Sequence, residues 1–137
     1  MIQLRVRDLM TQGVFAVNAS DDMATVSDLM DERNIRHAPV VDDGSLVGLI
    51  SHRDMLRYAL KEQVGAPPEM ERAAQLALRA GEVMTRDVAT AWPDQDIREA
   101  ARLMMENKFG CLPVIEGSRL VGILTESDFV RFLAAGD

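Results

Sequence analysis

The chain has 137 residues, 47% of them hydrophobic, with 22 acidic and 15 basic side chains and a net charge of -7. Such a chain closes one core or two small fused ones, while its acidic balance, with no local cluster of Lys and Arg, repels a phosphate backbone and argues against nucleic acid as a partner. One cysteine and two histidines leave no internal disulfide and no clustered zinc set; no apolar run approaches the roughly 20 residues of a membrane span and the N-terminus does not read as a signal peptide, so a soluble cytoplasmic protein is expected.

In chain order, a Met10-Thr11 opening precedes a short strand predicted over Val14–Val17. Met23, Val26 and Met30 then recur at helical spacing among charged residues, which predicts an amphipathic helix. Two apolar runs follow, Ala38–Val41 and Leu46–Ser51, joined by Asp42-Asp43-Gly44; that pattern is a β-hairpin. A helix is predicted after Ser51, burying Met55, Leu56 and Ala59. Residues 62–79 carry a breaker, Gly65-Ala66-Pro67-Pro68, then a run of strong helix formers, and read as a helical linker that serves as a spacer or as a docking surface.

From residue 80 the same order returns. Sliding the chain on itself by 74 positions lays residues 46–57 on 120–131 and 37–42 on 111–116 without a gap, and Met10-Thr11 on Met84-Thr85. The second copy therefore predicts a strand over Val88–Ala91, a helix with Ile97, Ala100, Ala101 and Met104 inward, a hairpin of Leu112–Ile115 and Leu120–Thr125 turning at Gly117-Ser118, and a last helix burying Phe129, Val130 and Leu133. Met30, Met104 and Met105 are expected in the core, and Trp92 covers either a cleft or the surface. Two β-α-β-β-α units result, at 1–61 and 80–137, with 62–79 between them.

Each hairpin ends in Gly-apolar-apolar-(Ser/Thr)-x-x-Asp: Gly48, Ser51 and Asp54, then Gly122, Thr125 and Asp128. One reading is purely structural, since Ser/Thr-x-x-Asp ahead of an apolar helix is a capping box. The other is chemical. A helix N-terminus with a hydroxyl beside it suits a phosphate, and a carboxylate three residues on suits the two hydroxyls of a ribose. His37 and Cys111 occupy matching positions, but one His and one Cys are too few for a metal site, and no nucleophile with a neighbouring base stands out to suggest an enzyme.

With two such motifs, each behind a Pro-Val-(Val/Ile)-acidic strand and a Met-Thr opening, the chain resembles the CBS (cystathionine beta-synthase) domain family over residues 6–61 and 80–133. The resemblance implies an α+β fold in which two β-α-β-β-α repeats pack through their sheets with pseudo-twofold symmetry, as a stand-alone module. It also implies a regulatory ligand rather than a required cofactor: AMP, ADP, ATP or S-adenosylmethionine, bound in clefts between the repeats. By motif position, Ser51 and Thr125 meet phosphate and Asp54 and Asp128 meet ribose. The base would lie near Val14, His37, Ala38 and Pro39 in one copy, and Val88, Cys111, Leu112 and Pro113 in the other. His52 and Arg53 follow Ser51 where Glu126 and Ser127 follow Thr125, so unequal sites are expected, the first taking the more phosphorylated ligand and the second AMP, a nucleoside or nothing. Expected partners are a second copy, in a homodimer, and a separate regulated protein. A dimerisation module with empty clefts is the alternative.

Overall fold

The computed structural model describes residues 3–55 and 76–136. In chain order its elements are α1 (Val6–Leu9), β1 (Val17–Asn18), α2 (Met23–Arg33), β2 (His37–Asp42), β3 (Ser45–Ser51), α3 (Ala80–Val83), α4 (Ile97–Asn107), β4 (Cys111–Glu116), β5 (Arg119–Thr125) and α5 (Glu126–Ala135). A further helix opens at residue 52 and continues to the last described residue before the gap. Leu56, Ala59 and most of the 62–79 linker lie outside the described residues.

Of the described residues, 15–55 and 76–87 form one compact unit, and 3–14 with 88–136 form a second. The sequence repeat and the compact unit are thus different sets of residues, because the short segment that opens each repeat is built into the other repeat's unit. Val6 and Leu9 lie in the core of the second hairpin with Ala91, Ala100, Met104, Leu112, Val114 and Leu124. Ala80, and beside it Val83 and Met84, pack in the core of the first with Val17, Met23, Val26, Met30, Ala38, Val40 and Ile50.

In the first unit β2 and β3 pair antiparallel, with His37 opposite Ser51 and a bulge at Val40/Val41. Asp43 and Gly44 both take positive φ in the two-residue turn, as an Asp-Gly hairpin of the primed type requires. In the second unit β4 and β5 repeat this down to the bulge, at Val114/Ile115, and set Cys111 opposite Thr125. The helices repeat as well. Asp22 caps α2 by accepting from Thr25 N–H at 2.8 Å, and Asp96 caps α4 by accepting from Arg98 N–H at 2.8 Å. Both helices end on a left-handed residue, Asn34 and Lys108. The backbone bond from Thr25 also holds the Asp22 carboxyl below the usual carboxylate range.

Three expectations need correction. The first strands are shorter than Val14–Val17 and Val88–Ala91: β1 begins at Val17 and pairs parallel with Val40, and in the second copy only Ala91 bridges, to Val114. Ala19 N–H donates to Val41 carbonyl at 3.1 Å. At the matching position stands Pro93, which has no N–H to give, so the second strand stops. In α5, Val130 and Leu133 are 66% and 77% exposed rather than buried. The helix offers two adjacent apolar stripes, and the larger pair, Phe129 and Phe132, takes the core. Met105 is likewise exposed, whereas Met30 and Met104 are buried as expected. Trp92 lies half exposed on the surface of its unit.

Candidate functional site

At both hairpin ends a strand runs into a helix, and the glycine of the motif has a packing role that precedes any chemistry. Thr85 and Leu49 exchange two backbone hydrogen bonds, Leu49 N–H to Thr85 carbonyl at 3.0 Å and Thr85 N–H to Leu49 carbonyl at 2.9 Å. Thr11 and Ile123 do the same at 2.9 and 3.0 Å. The Met-Thr opening of one repeat therefore lies across the Gly-containing strand of the other. A Cβ on Gly48 would stand 2.8 Å from the Thr85 carbonyl oxygen and run into the Met84 side chain; on Gly122 it would stand 2.9 Å from Met10 sulfur and 3.1 Å from the Thr11 carbonyl oxygen. Only glycine admits so close a backbone.

At the first junction Ser51 and Asp54 are both half-buried. Ser51 N–H donates to Asp54 Oδ2 at 3.1 Å and Asp54 N–H donates to Ser51 Oγ at 3.0 Å, the reciprocal capping box of the sequence reading. His37 faces Ser51 across the ladder, and His52 N–H donates to the Arg36 carbonyl at 2.8 Å. Ala38 and Pro39 continue β2 inward, both buried, while His52 and Arg53 are exposed on the first helical turn. The strand pairing thus gathers Arg36, His37, Ser51, His52, Arg53 and Asp54 at one end of one hairpin. Val14 belongs to the second unit.

The second junction has the same local box and a different interior. Asp128 is 2% exposed. Its Oδ2 accepts from Thr125 N–H at 2.8 Å and from the Thr125 hydroxyl at 3.3 Å. Its Oδ1 accepts from the Thr11 hydroxyl at 2.7 Å and from Arg131 Nη1 at 2.9 Å. Neither Thr11 nor Arg131 was singled out from sequence. Thr11 carried a signal, its place in the repeated Met-Thr pair, but not the identity of the hairpin it would reach. Cys111 opposite Thr125 is buried with Leu112 and Pro113, and that burial pushes its thiol up to about 12. There it packs as a small hydrophobic side chain. Val88 is half-buried in this unit. Among the described residues no three His, Cys, Asp or Glu side chains come together as a metal site, and no helix is long and apolar enough to cross a membrane.

The CBS domain profile matches residues 6–61 and 80–135, and the chain belongs to the CBS domain family. It is similar to a crystal structure of a putative acetoin utilization protein (AcuB) from Vibrio cholerae, 32% identical with a TM-score of 0.82, covering 98% of this chain and 93% of that one. It is also similar to CBSX2 solved in complex with AMP (30% identity, TM-score 0.79, 96% of each chain). A third is the CBS domain pair of protein MJ0100, solved with 5-methylthioadenosine and S-adenosyl-L-methionine (27% identity, TM-score 0.79, 99% of this chain and 100% of that one). The chain spans half or less of the length of four curated relatives that it matches, 47%, 33%, 24% and 40%.

Proposed function

We propose that this chain is a regulatory module that binds an adenine nucleotide or S-adenosylmethionine, serves energy sensing in the cytoplasm, and signals to a separate protein without catalysing a reaction. The observation that carries the reading is the first junction. A hydroxyl, a helix N-terminus and a half-buried carboxylate stand together there in a fold whose solved relatives hold AMP or S-adenosyl-L-methionine. Ser51 is assigned to phosphate and Asp54 to ribose, with Thr125 and Asp128 in the same roles at the second junction. His37, Ala38 and Pro39 approach the base at the first site; Val88, Cys111, Leu112 and Pro113 do so at the second. Val14 is kept among the base contacts as a residue to test.

Four residues with cationic or titratable side chains, Arg36, His37, His52 and Arg53, gather at the first junction, where the matching positions of the second hold Gly110, Cys111, Glu126 and Ser127. This contrast supports the more highly phosphorylated ligand, such as ATP, at the first site and AMP, a nucleoside or nothing at the second. Occupancy regulates only if the ligand prefers one of two states of the module or of its homodimer. The exposed Met105, Val130 and Leu133 support the structural alternative, a dimerisation module with empty clefts.

Thermal shifts of the wild type, Asp54→Ala and Asp128→Ala with AMP, ADP, ATP, S-adenosylmethionine and NAD, with IMP as base control, decide between them. A ligand at about 100 times its Kd adds roughly 2.7 kcal/mol, a shift of several degrees. Loss of the adenine-dependent shift in Asp54→Ala supports the sensor, and Arg53→Ala should weaken ATP more than AMP. No shift with any of them leaves the dimerisation module and reduces both motifs to helix caps.

A further inference from the structure

The buried carboxylate of Asp128 is assigned to a ribose, yet in this structure its oxygens are already taken. An ionised carboxylate offers about four lone-pair positions and only accepts. Oδ2 faces inward along its own helix start, to Thr125 N–H and hydroxyl. Oδ1 accepts from Thr11 and Arg131, which are exposed residues, whereas Thr125 is half-buried. A ribose diol arriving on the side of those exposed donors meets Oδ1. The Thr11 hydroxyl stands there first, at 2.7 Å, the shortest of the four bonds to Asp128.

Thr11 is also held in place. Its backbone exchanges two hydrogen bonds with Ile123, Met10 closes on Gly122, and Val6 and Leu9 are buried in the same core. Its hydroxyl is delivered to Asp128 by tertiary structure, not by a flexible tail that drifts in and out.

We infer that Thr11 is a specificity-determining residue of the second site: its hydroxyl acts as an internal stand-in for a ribose hydroxyl, and a nucleoside must displace it from Asp128 to bind. The inference rests on the assignment of Asp128 to ribose made above. It predicts that the Thr11 bond competes with a ribose hydroxyl for Oδ1, beside the bond from Arg131, and that removing the Thr11 donor favours the nucleoside. Val replaces Thr with the same shape and no hydroxyl.

The test uses the whole chain carrying Asp54→Ala, so that binding reports on the second junction, titrated by calorimetry with AMP and with 2′,3′-dideoxy-AMP. Thr11→Val should tighten AMP by about tenfold, the worth of one charge-assisted hydrogen bond no longer in competition. The gain should be absent with the dideoxy nucleotide, which has no diol to offer, and Thr11→Ser should return the affinity to that of the parent. AMP bound no tighter by Thr11→Val, or an equal gain with the dideoxy nucleotide, overturns the inference while wild-type binding keeps the sensor reading intact. Absence of adenine-ligand binding in the wild type and in every variant overturns both. Where Asp54→Ala lowers the yield of folded protein, Ser51→Ala provides the same background.

Discussion

The two strand-to-helix junctions share a motif, a bulge, a turn length and a capping box, and still present their carboxylates differently. Asp54 is half-buried beside Arg36, His37, His52 and Arg53, whereas Asp128 is buried beneath Thr11 and Arg131. A seven-residue motif fixes bonds within seven residues. Whether its carboxylate is open to a ligand is decided by what the rest of the chain lays over it.

The largest expected contrast lies at the matched positions His37 and Cys111. A thiol pushed up to about 12 from 9.0 holds about a thousandfold less thiolate at pH 8 than it does once unfolded, a difference of three pH units. Labelling of Cys111 by a thiol reagent should therefore be slow in the native protein and should jump in denaturant; prompt native labelling would mean that β4 opens readily.

The motif glycines come next. Gly48→Ala should destabilise the protein by about 3 kcal/mol and Gly122→Ala by about 1 kcal/mol, because overpacking costs about 1–3 kcal/mol and the approach at Gly48 is the closer, against backbone as well as Met84. Equal costs in urea titrations would show that the two Met-Thr segments dock with the same slack.

The carboxylates themselves should separate stability from binding. Asp128→Ala removes an acceptor from four donors at a buried position and should cost about 2–3 kcal/mol, whereas Asp54→Ala removes a capping partner and should cost about 1 kcal/mol. Ligand affinity should move the other way, with Asp54→Ala weakening binding by roughly 10 to 100-fold. A ligand lost with Asp128→Ala and kept with Asp54→Ala would move the principal site to the second junction.

The smallest effect concerns the two helix ends. Lys108 and Asn34 both sit at positive φ, 56° and 53°, a region that Asn tolerates and Lys does not. Lys108→Gly should raise stability by about 0.5–1 kcal/mol and Asn34→Gly by less, as read from thermal midpoints.

Much of this molecule was legible in residues alone. The offset of 74 exposed the repeat, the helical spacing of Met23, Val26 and Met30 located α2, and Asp43-Gly44 announced a hairpin turn, since each of these is a local constraint on φ/ψ or on one face of one element. Even the early end of the second copy's first strand is written in Pro93. The motif residues Ser51, Asp54, Thr125 and Asp128 were found the same way. The choice between the apolar stripes of α5 was not, because Phe129-Phe132 and Val130-Leu133 have the same spacing and only the shape of the surrounding core selects one.

The exchange of the Met-Thr segments belongs to tertiary structure entirely. Met10 aligns with Met84, so sequence marks both as equivalent, but equivalence says nothing about which hairpin each one crosses. That is settled by backbone bonds over more than a hundred residues, Thr11 to Ile123, which no local propensity encodes. Sequence by itself determined the two CBS repeats and their paired motifs. The docking of a distant threonine on Asp128 was decided by tertiary structure, because the donors that reach a buried charge are its neighbours in space and not its neighbours in the chain.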